Sequence, residues 1–294
     1  MNRRPRFVPL LSLLAIPLLA LSPASAAATW SIIAIDGATG WVIISSATCV
    51  SQASLLRFPS KGLWDIQAII VPGVGIAAAQ AGVDRTRDNQ NLIYTELKRG
   101  TDPALIIDML AADPRFQSRQ FGVVDIKGRA AGFSGTGNGA ASLAVQSRVP
   151  GTQIHFSIQG NILASNDVVL DAVDAFLTAE GTAIDRVMAA MEAADAAGGD
   201  SRCTCETRPI PDTPCESKNA HVAYLIAAAP ADPEGQSFND GTYSVFIDVT
   251  DENITPLENA NPVITLRKRY DAWKAEQRGA GPRPGPNPPE PAVS

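Results

Sequence analysis

The residue with the clearest chemical potential is a threonine that follows a run of small residues. Residues 22–28 are only Ser, Pro and Ala, and Thr29 comes directly after them. A threonine hydroxyl is a weak nucleophile unless a base takes its proton. If processing makes Thr29 the first residue, its own α-amine, with a pKa of about 7.7–8, can be that base. Such a site needs no histidine, and the chain has only two.

The first 28 residues have the order of a signal peptide, with basic residues up to Arg6, an apolar stretch over 7–21 and then the small residues. The apolar stretch is shorter than the roughly 20 residues that a membrane span needs. We therefore expect 1–28 to be removed and the mature protein to be exported, periplasmic or secreted, without a membrane span. Cleavage could follow any of the last three alanines, and only the last cut exposes Thr29.

Thr29 also has a purely structural interpretation, because a β-branched residue suits the start of a strand.

Other nucleophile patterns fit the chain less well than Thr29 does. Residues 132–136 resemble a nucleophile elbow around Ser134, but the second glycine stands one position early. His155 and His221 lie in apolar segments, where a buried structural histidine is the ordinary interpretation.

The four cysteines are Cys49, Cys203, Cys205 and Cys215. The last three, with His221, could in principle bind zinc, but their spacing is not that of a usual finger. An exported protein favours oxidation instead. A bridge between Cys203 and Cys205 would be strained. We therefore expect Cys215 to pair with one of these two and Cys49 with the other.

Composition limits the partners. The chain has 294 residues, 45% of them hydrophobic and 18% charged, and its formal net charge is -6. Without the three arginines of the N-terminal segment, 21 basic residues face 30 acidic ones, a balance of -9. This surface disfavours nucleic acid and anionic lipid as partners. The chemistry of an amine and a hydroxyl calls for no cofactor and no metal, and the sequence leaves the oligomeric state open.

The elements that must position these residues follow from periodicity. Residues 29–36 and 41–46 form a predicted hairpin, and 67–71 pairs with 75–80. The later predicted elements are helices over 84–99 and from Pro103, a hairpin of 121–126 with 130–133, a strand over 155–159, helices over 166–179 and 182–197, strands over 222–228 and 243–249, and a helix over 262–278. This order favours stacked sheets flanked by helix layers over a doubly wound parallel sheet.

We predict an α+β protein with one domain over 29–278. The tail over 279–294 holds six prolines and three glycines, so we predict that it is disordered.

Several short stretches together point to one known family. They are Thr29–Ala34, Pro72–Ala81, Arg119–Asp125, Gly132–Gly135, Gln159–Ala164, Ala197–Asp200, and Asn261–Val263 with Leu266 and Arg267. In this order, and spread from residue 29 to about residue 275, they resemble the domain of unknown function 1028 family. That family is assigned to the N-terminal nucleophile (Ntn) hydrolase-like superfamily, and no biochemical activity is firmly attached to it.

The resemblance implies a four-layer αββα sandwich and cleavage of amide bonds by an N-terminal Thr, Ser or Cys. Thr29 falls where the family's leading Thr lies. Residues 40–46 look like the second strand of proteasome-type subunits, which carry an Asp where Ser46 stands. Lys61 lies near where such enzymes place a lysine that lowers the pKa of the nucleophile. The segment over 51–65 departs from the family's usual run.

The site hypothesis makes the Thr29 hydroxyl the nucleophile and its α-amine the base. Gln80 and Asn161 each end an apolar strand in a family-like stretch, and their amides are candidate donors to the oxyanion. Two serines, Ser46 and Ser134, could hold the α-amine or the substrate. A carboxylate could orient the same amine, and the candidate is Asp200, which follows two glycines. A helix cap or a hydrogen bond within the loop is an equal alternative for Asp200.

These residues together predict an exported amidohydrolase acting on a small-molecule or peptide amide. Peptides, cell-wall fragments and N-acyl compounds fit the compartment, and the sequence names none of them. The alternative is a non-catalytic exported binding or scaffold protein on the same fold, which follows if two alanines remain in front of Thr29. A conventional serine hydrolase around Ser134 is a third hypothesis, and it needs a histidine within reach.

Overall fold

A computed structural model describes residues 29–279. The predicted signal peptide and all but the first residue of the predicted tail lie outside the described residues. The strands are β1 (Thr29–Asp36), β2 (Trp41–Thr48), β3 (Ala68–Val71), β4 (Gly75–Ala81), β5 (Arg119–Asp125), β6 (Ala130–Ser134), β7 (Leu143–Arg148), β8 (Ile154–Asn161), β9 (Val222–Ala228) and β10 (Val245–Thr250). The helices are α1 (Gln52–Leu55), α2 (Leu63–Gln67), α3 (Asp88–Arg99), α4 (Pro103–Leu110), α5 (Asp167–Thr178), α6 (Ala183–Ala196) and α7 (Pro262–Gly279).

Two antiparallel sheets form the centre of the protein. The first has six strands in the order β10-β9-β2-β1-β8-β7, and the second has four in the order β3-β4-β5-β6. Their pairs are antiparallel throughout. The predicted α+β class, with hairpin strands and no doubly wound parallel sheet, is confirmed.

Three hydrophobic cores lie on the faces of these sheets. The first packs α5, α6 and α7 against the six-stranded sheet and includes Trp30, Phe156 and Met188. The second lies between the two sheets, where Ile33 meets side chains of the facing sheet such as Ile76. The third packs α3 and α4 against the outer face of the four-stranded sheet. Each sheet is therefore covered on both faces.

The burial of β1 on both faces explains its nearly continuous apolar sequence. Side chains alternate between the two faces of a strand. Ile33 and Ile35 belong to the core between the sheets, and Ile32 and Ala34 belong to the core under the helices. The same alternation directs Thr29 and Ser31 into the space between the sheets.

Most predicted elements are present, with shifted boundaries. The helix predicted from residue 84 begins at Asp88, because Arg87 has a left-handed backbone with φ of 63° that a helix cannot contain. Asp102 caps α4, which begins at Pro103 as predicted, and accepts a hydrogen bond from the backbone of Ala104 at 3.0 Å. The sequence pattern did not predict the edge strand β7 or the short helices α1 and α2.

One disulfide links the loop after α6 to the end of β2, and a second closes within that loop. Cys49 is bonded to Cys203, and Cys205 is bonded to Cys215, which is one of the two pairings that the sequence left open. Cys49, Cys203 and His221 lie close together, within 4.8 Å of one another by their ligand atoms, but both sulfurs belong to a disulfide. Within residues 29–279, no helix has both the length and the apolar character needed to cross a bilayer. The two disulfides are compatible with an exported protein.

Candidate functional site

Thr29 is the first residue of β1 and points between the sheets. In the register of the six-stranded sheet it lies opposite Thr48 on β2 and Asn161 on β8. Its hydroxyl donates to Oγ1 of Thr48 at 3.2 Å, and the residue is 4% exposed. The strand pairing thus gathers two hydroxyls and one amide side chain at one end of the sheet.

Gln80 reaches this group from β4 of the facing sheet. Its Oε1 accepts hydrogen bonds from Oγ of Ser31 at 2.7 Å and from Nε2 of Gln67 at 2.6 Å. Its Nε2 donates to the carbonyl oxygen of Thr29 at 3.1 Å and to Oε1 of Gln120 at 2.7 Å, and lies 3.5 Å from Oδ1 of Asn161. Gln80 therefore holds the main chain of the candidate nucleophile across the gap between the sheets.

The network continues through neutral groups. The hydroxyl of Tyr224 donates to Oε1 of Gln67 at 2.8 Å, and burial raises the pKa of Tyr224 well above its usual value, so that it remains a neutral donor. Nε2 of Gln120 donates to Oγ of Ser134 at 3.0 Å and to the carbonyl of Gly160 at 2.8 Å. We call this set the inter-sheet polar cluster. Its members are Thr29, Ser31, Thr48, Gln67, Gln80, Gln120, Ser134, Asn161 and Tyr224.

A narrow cavity opens beside the cluster. Its volume is about 40 Å³, and Thr29, Thr48 and Gln80 lie on its wall. Its remaining wall is mainly apolar and includes Leu55 and Phe58. A cavity of this size holds a water or a small group, whereas pockets for whole ligands measure about 300–1,000 Å³.

The charged residues on the cavity wall are engaged in pairs and caps. Nε of Arg119 lies 2.8 Å from a carboxylate oxygen of Asp113, and both side chains are largely buried. Burial by itself would raise the pKa of Asp84, but hydrogen bonds from the backbone of Asn89 and from Thr86 outweigh it and lower that pKa. The cavity therefore presents an apolar wall whose nearby charges are compensated.

The structure brings only part of the predicted site together. Gln80 and Asn161 lie beside Thr29 in the inter-sheet polar cluster. Ser46 is on the neighbouring strand opposite Ser31 and is fully buried, and its hydroxyl donates to the carbonyl of Trp30 at 2.6 Å. It thus stabilises β1 directly after the candidate nucleophile and does not line the cavity.

Three further predicted residues lie outside the immediate surroundings of Thr29. Among residues 29–279, Ser134 connects to Thr29 through the amides of Gln120 and Gln80. The carboxylate of Asp200 is buried and binds the guanidinium of Arg202 at 2.9 and 2.6 Å, away from the cavity wall. Lys61 is exposed, with Nζ 5.8 Å from the ring centroid of Trp64, so it does not supply the expected neighbouring ammonium. The segment that carries Lys61 folds as α1, α2 and the turn between them.

Neither histidine approaches Ser134 closely enough to hydrogen-bond it. The hydroxyl of Ser134 contacts the amides of Gln120 and Asn138, at 3.0 and 3.5 Å. His155 packs on Gly128 in the β5–β6 turn. Burial, aided by Lys218, lowers the pKa of His221 to about 4, which keeps the ring neutral. The serine-hydrolase hypothesis thus lacks the base that it needs among residues 29–279.

Sequence reasoning missed Thr48, Gln67 and Gln120. The sequence does contain a signal for Thr48 and Gln120. Polar residues at alternate positions of an otherwise apolar strand lie on one face, which indicates a buried polar cluster on that face. Thr48 follows Ser46 by two residues, and Gln120 is the register partner of Gln80. The pairing of those strands is needed before the signal can be read.

The fold and site define a mixed α+β protein with a neutral polar cluster between two antiparallel sheets. A family model described as a family of unknown function (DUF1028) matches residues 29–206, more than half of the chain. The chain belongs to the DUF1028 family.

The same architecture is found in a solved structure. The crystal structure of a DUF1028 protein from Silicibacter pomeroyi is 21% identical, covers 83% of this chain and 88% of its own, and superposes with a TM-score of 0.59. At this identity the likeness shows the fold alone. No curated protein matches the sequence.

Proposed function

We propose that the protein is an exported Ntn-type amide hydrolase whose nucleophile is Thr29 in a chain that starts at that residue. The two facing sheets, with helices on their outer faces, are what an αββα sandwich of the Ntn type requires. The family match also begins at Thr29. These observations support the fold assignment on which the proposal depends.

One observation carries the chemistry. The hydroxyl of Thr29 lines the cavity between the sheets and, within residues 29–279, hydrogen-bonds only another hydroxyl, that of Thr48. It has neither a carboxylate nor an imidazole among these hydrogen-bond partners. A hydroxyl needs a base to become a nucleophile. Because no carboxylate or imidazole bonds to this hydroxyl within residues 29–279, we assign the α-amine of Thr29 as the base.

The proposed reaction follows the usual order for acyl transfer. Oγ1 of Thr29 attacks the amide carbonyl carbon while its proton passes to the α-amine. The carbon–nitrogen bond breaks as the ammonium returns a proton to the leaving amine, and an ester to Thr29 remains. Water, deprotonated by the same amine, then hydrolyses the ester and restores the hydroxyl.

The two predicted oxyanion donors receive different roles. The amide hydrogens of Gln80 are already directed at Gln120 and at the carbonyl of Thr29, so Gln80 acts as a positioning residue. Asn161 lies directly across from Thr29 in the sheet register, and we assign its amide as the donor to the oxyanion.

The apolar wall supports a substrate with a small uncharged group beside the scissile amide. Leu55, Phe58 and Phe121 contribute to that wall. A small-molecule or peptide amide with such an acyl group fits, and the bulk of a larger substrate would remain outside the cavity.

A second candidate is the non-catalytic exported binding or scaffold protein. The observation that favours it is the restricted access to Thr29, which is 4% exposed in a cavity of about 40 Å³. A mature chain that still begins with two alanines would also place the α-amine out of reach of the hydroxyl.

The deciding experiment compares a chain that starts at Thr29 with one that starts at Ala27. Each is treated with a β-lactone, which acylates activated hydroxyls, and is assayed on a panel of acyl 4-nitroanilides. We expect a mass adduct mapped to Thr29, and amide cleavage, only in the first chain. Thr29→Ala should abolish both, whereas Ser134→Ala should retain both, since Ser134 does not contact Thr29 directly.

Circular dichroism establishes that each variant is folded. A folded chain starting at Thr29 that gives no adduct and cleaves no amide would favour the binding protein. Cleavage that survives Thr29→Ala would overturn the assignment of the nucleophile.

A further inference from the structure

A larger cavity lies at the other end of β1. It is formed by the β1–β2 turn, the start of α6 and the last turns of α7, and its volume is about 410 Å³. Asp36, which lines it, is seven residues from Thr29, or about 23 Å along a strand. The cavity is therefore separate from the candidate active site, and an occupant bound in it would not depend on the proposed amide hydrolysis.

Three aromatic rings line this cavity, which we call the aromatic cavity: Trp41, Tyr270 and Trp273. The rings of Tyr270 and Trp273 stack with centroids 5.8 Å apart and planes inclined by 19°. Both tryptophans are only half-buried, so part of each ring is accessible to an occupant.

The wall of the aromatic cavity is held in place by its surroundings. The hydroxyl of Tyr270 donates to Oδ1 of Asp185 at 2.9 Å, and the ammonium of Lys274 pairs with the same oxygen. Asp185 and Thr182 cap the start of α6 through reciprocal hydrogen bonds. The site is thus preformed, which lowers the entropic cost of binding.

A segment of suitable chemistry comes directly after this wall in the chain. Arg278 lines the cavity, and residues 280–294 come immediately after α7. Six prolines fall between Pro282 and Pro291, and proline-rich segments favour the polyproline II conformation. Such segments dock in aromatic-lined grooves in several unrelated peptide-binding domains.

Length and charge also fit. Two glycines lie between Arg278 and Pro282, and glycine permits the chain reversal that a return to the cavity needs. Ten residues of polyproline II from Pro282 span about 31 Å, enough to cross the cavity. The segment carries Arg283 and Glu290, and the rim of the cavity carries charges of both signs in Asp36 and Arg278.

We propose that the aromatic cavity binds the chain's own proline-rich segment, residues 280–294, in the polyproline II conformation. Attachment to α7 makes the binding intramolecular, with an effective concentration of the order of millimolar for a short flexible connection. A weak contact with the tryptophan faces is then enough to keep the cavity filled.

The test uses tryptophan fluorescence of the mature protein and of a chain ending at Gly279. We titrate the shortened chain with a synthetic peptide of residues 280–294. We expect saturable binding, with a shift of tryptophan emission towards that of the full protein. Binding of the peptide to the full protein should be at least tenfold weaker, because the attached segment competes.

Variants locate the binding. In the shortened chain, Trp273→Ala and Trp41→Ala should each weaken binding at least tenfold. The matched control is Trp64→Ala, since Trp64 packs against Phe246 outside this cavity, and it should leave the affinity unchanged. A peptide with its six prolines replaced by alanine should bind at least tenfold more weakly.

Three results would overturn the proposal. One is a shortened chain that binds no peptide and has the emission of the full protein. Another is a peptide affinity of the Trp273→Ala and Trp41→Ala variants that equals the affinity of the unsubstituted shortened chain. The third is an emission difference between the full protein and the shortened chain that grows with protein concentration, together with a dimer of the full protein in sedimentation. That result would place the segment in the cavity of a second copy of the chain.

Discussion

Gln80 shows how one residue can hold two sheets in register at a candidate site. Its amide accepts from Ser31 and Gln67 and donates to Thr29 and Gln120, so both of its polar atoms are used. A buried polar group stabilises little when satisfied but costs much when its partner is lost. The cluster is therefore sensitive to any change that leaves one amide unpaired.

Replacing Gln80 with alanine should destabilise the protein by about 1–3 kcal/mol for each partner group left unsatisfied. The measurement is the free energy of unfolding in urea. Gln236→Ala is the matched control, because Gln236 is exposed, and it should change stability by less than about 0.5 kcal/mol. Equal stability of the two variants would contradict the role assigned to Gln80.

At the scale of elements, the ends of the helices are set by local side chains. Asp102 accepts a hydrogen bond from the backbone of Ala104 at the start of α4, and Pro103 follows it. The cap defines where the helix begins, and α4 in turn covers the outer face of the four-stranded sheet. A local sequence feature thus contributes to the core behind the candidate site.

Asp102→Ala should lower the free energy of unfolding by about 1 kcal/mol through loss of the cap. Asp102 also forms an ion pair with Arg129 at 3.1 Å, but a half-exposed pair contributes little. Asp102→Asn keeps a capping oxygen and removes the charge, so it should retain most of the stability. Asp108→Ala, at an exposed position of the same helix, should have a smaller effect than Asp102→Ala. An equal loss in both alanine variants would exclude the cap as the cause.

At the scale of the whole molecule, one disulfide joins distant parts of the chain. Cys49 follows the end of β2, one residue after Thr48 of the polar cluster, and its partner Cys203 lies 154 residues later. Cys205 and Cys215 are separated by only 10 residues. The first bridge therefore constrains the unfolded chain over a far longer loop.

Removing the two disulfides should have unequal effects. In the chain-entropy model, Cys49→Ser with Cys203→Ser costs roughly 5 kcal/mol, and Cys205→Ser with Cys215→Ser costs roughly 3 kcal/mol. Thermal unfolding under matched oxidising conditions measures the difference. A larger loss from the short-loop pair would show that native-state contacts of the 201–218 loop, and not chain entropy, dominate.

Local sequence patterns predicted most of the helices and strands and narrowed the disulfide pairing. Apolar alternation predicted the β1–β2 hairpin, Pro103 marked the predicted start of α4, and the strain of a Cys203–Cys205 bridge excluded one of the three possible disulfide pairings. These features depend on residues near one another or on the geometry of a single bond. Short-range patterns are sufficient to read them.

The composition of the candidate site depends on tertiary contacts between distant parts of the chain. Asn161 meets Thr29 because β8 pairs with β1, although 132 residues separate them, and Gln80 arrives from a different sheet. Similarly, Lys61 points to solvent although its distance along the chain suggested otherwise. Sheet pairing and the packing of one sheet on another depend on the apolar surface buried by many strands together. A short stretch of sequence does not reveal which distant strands will bury that surface against each other.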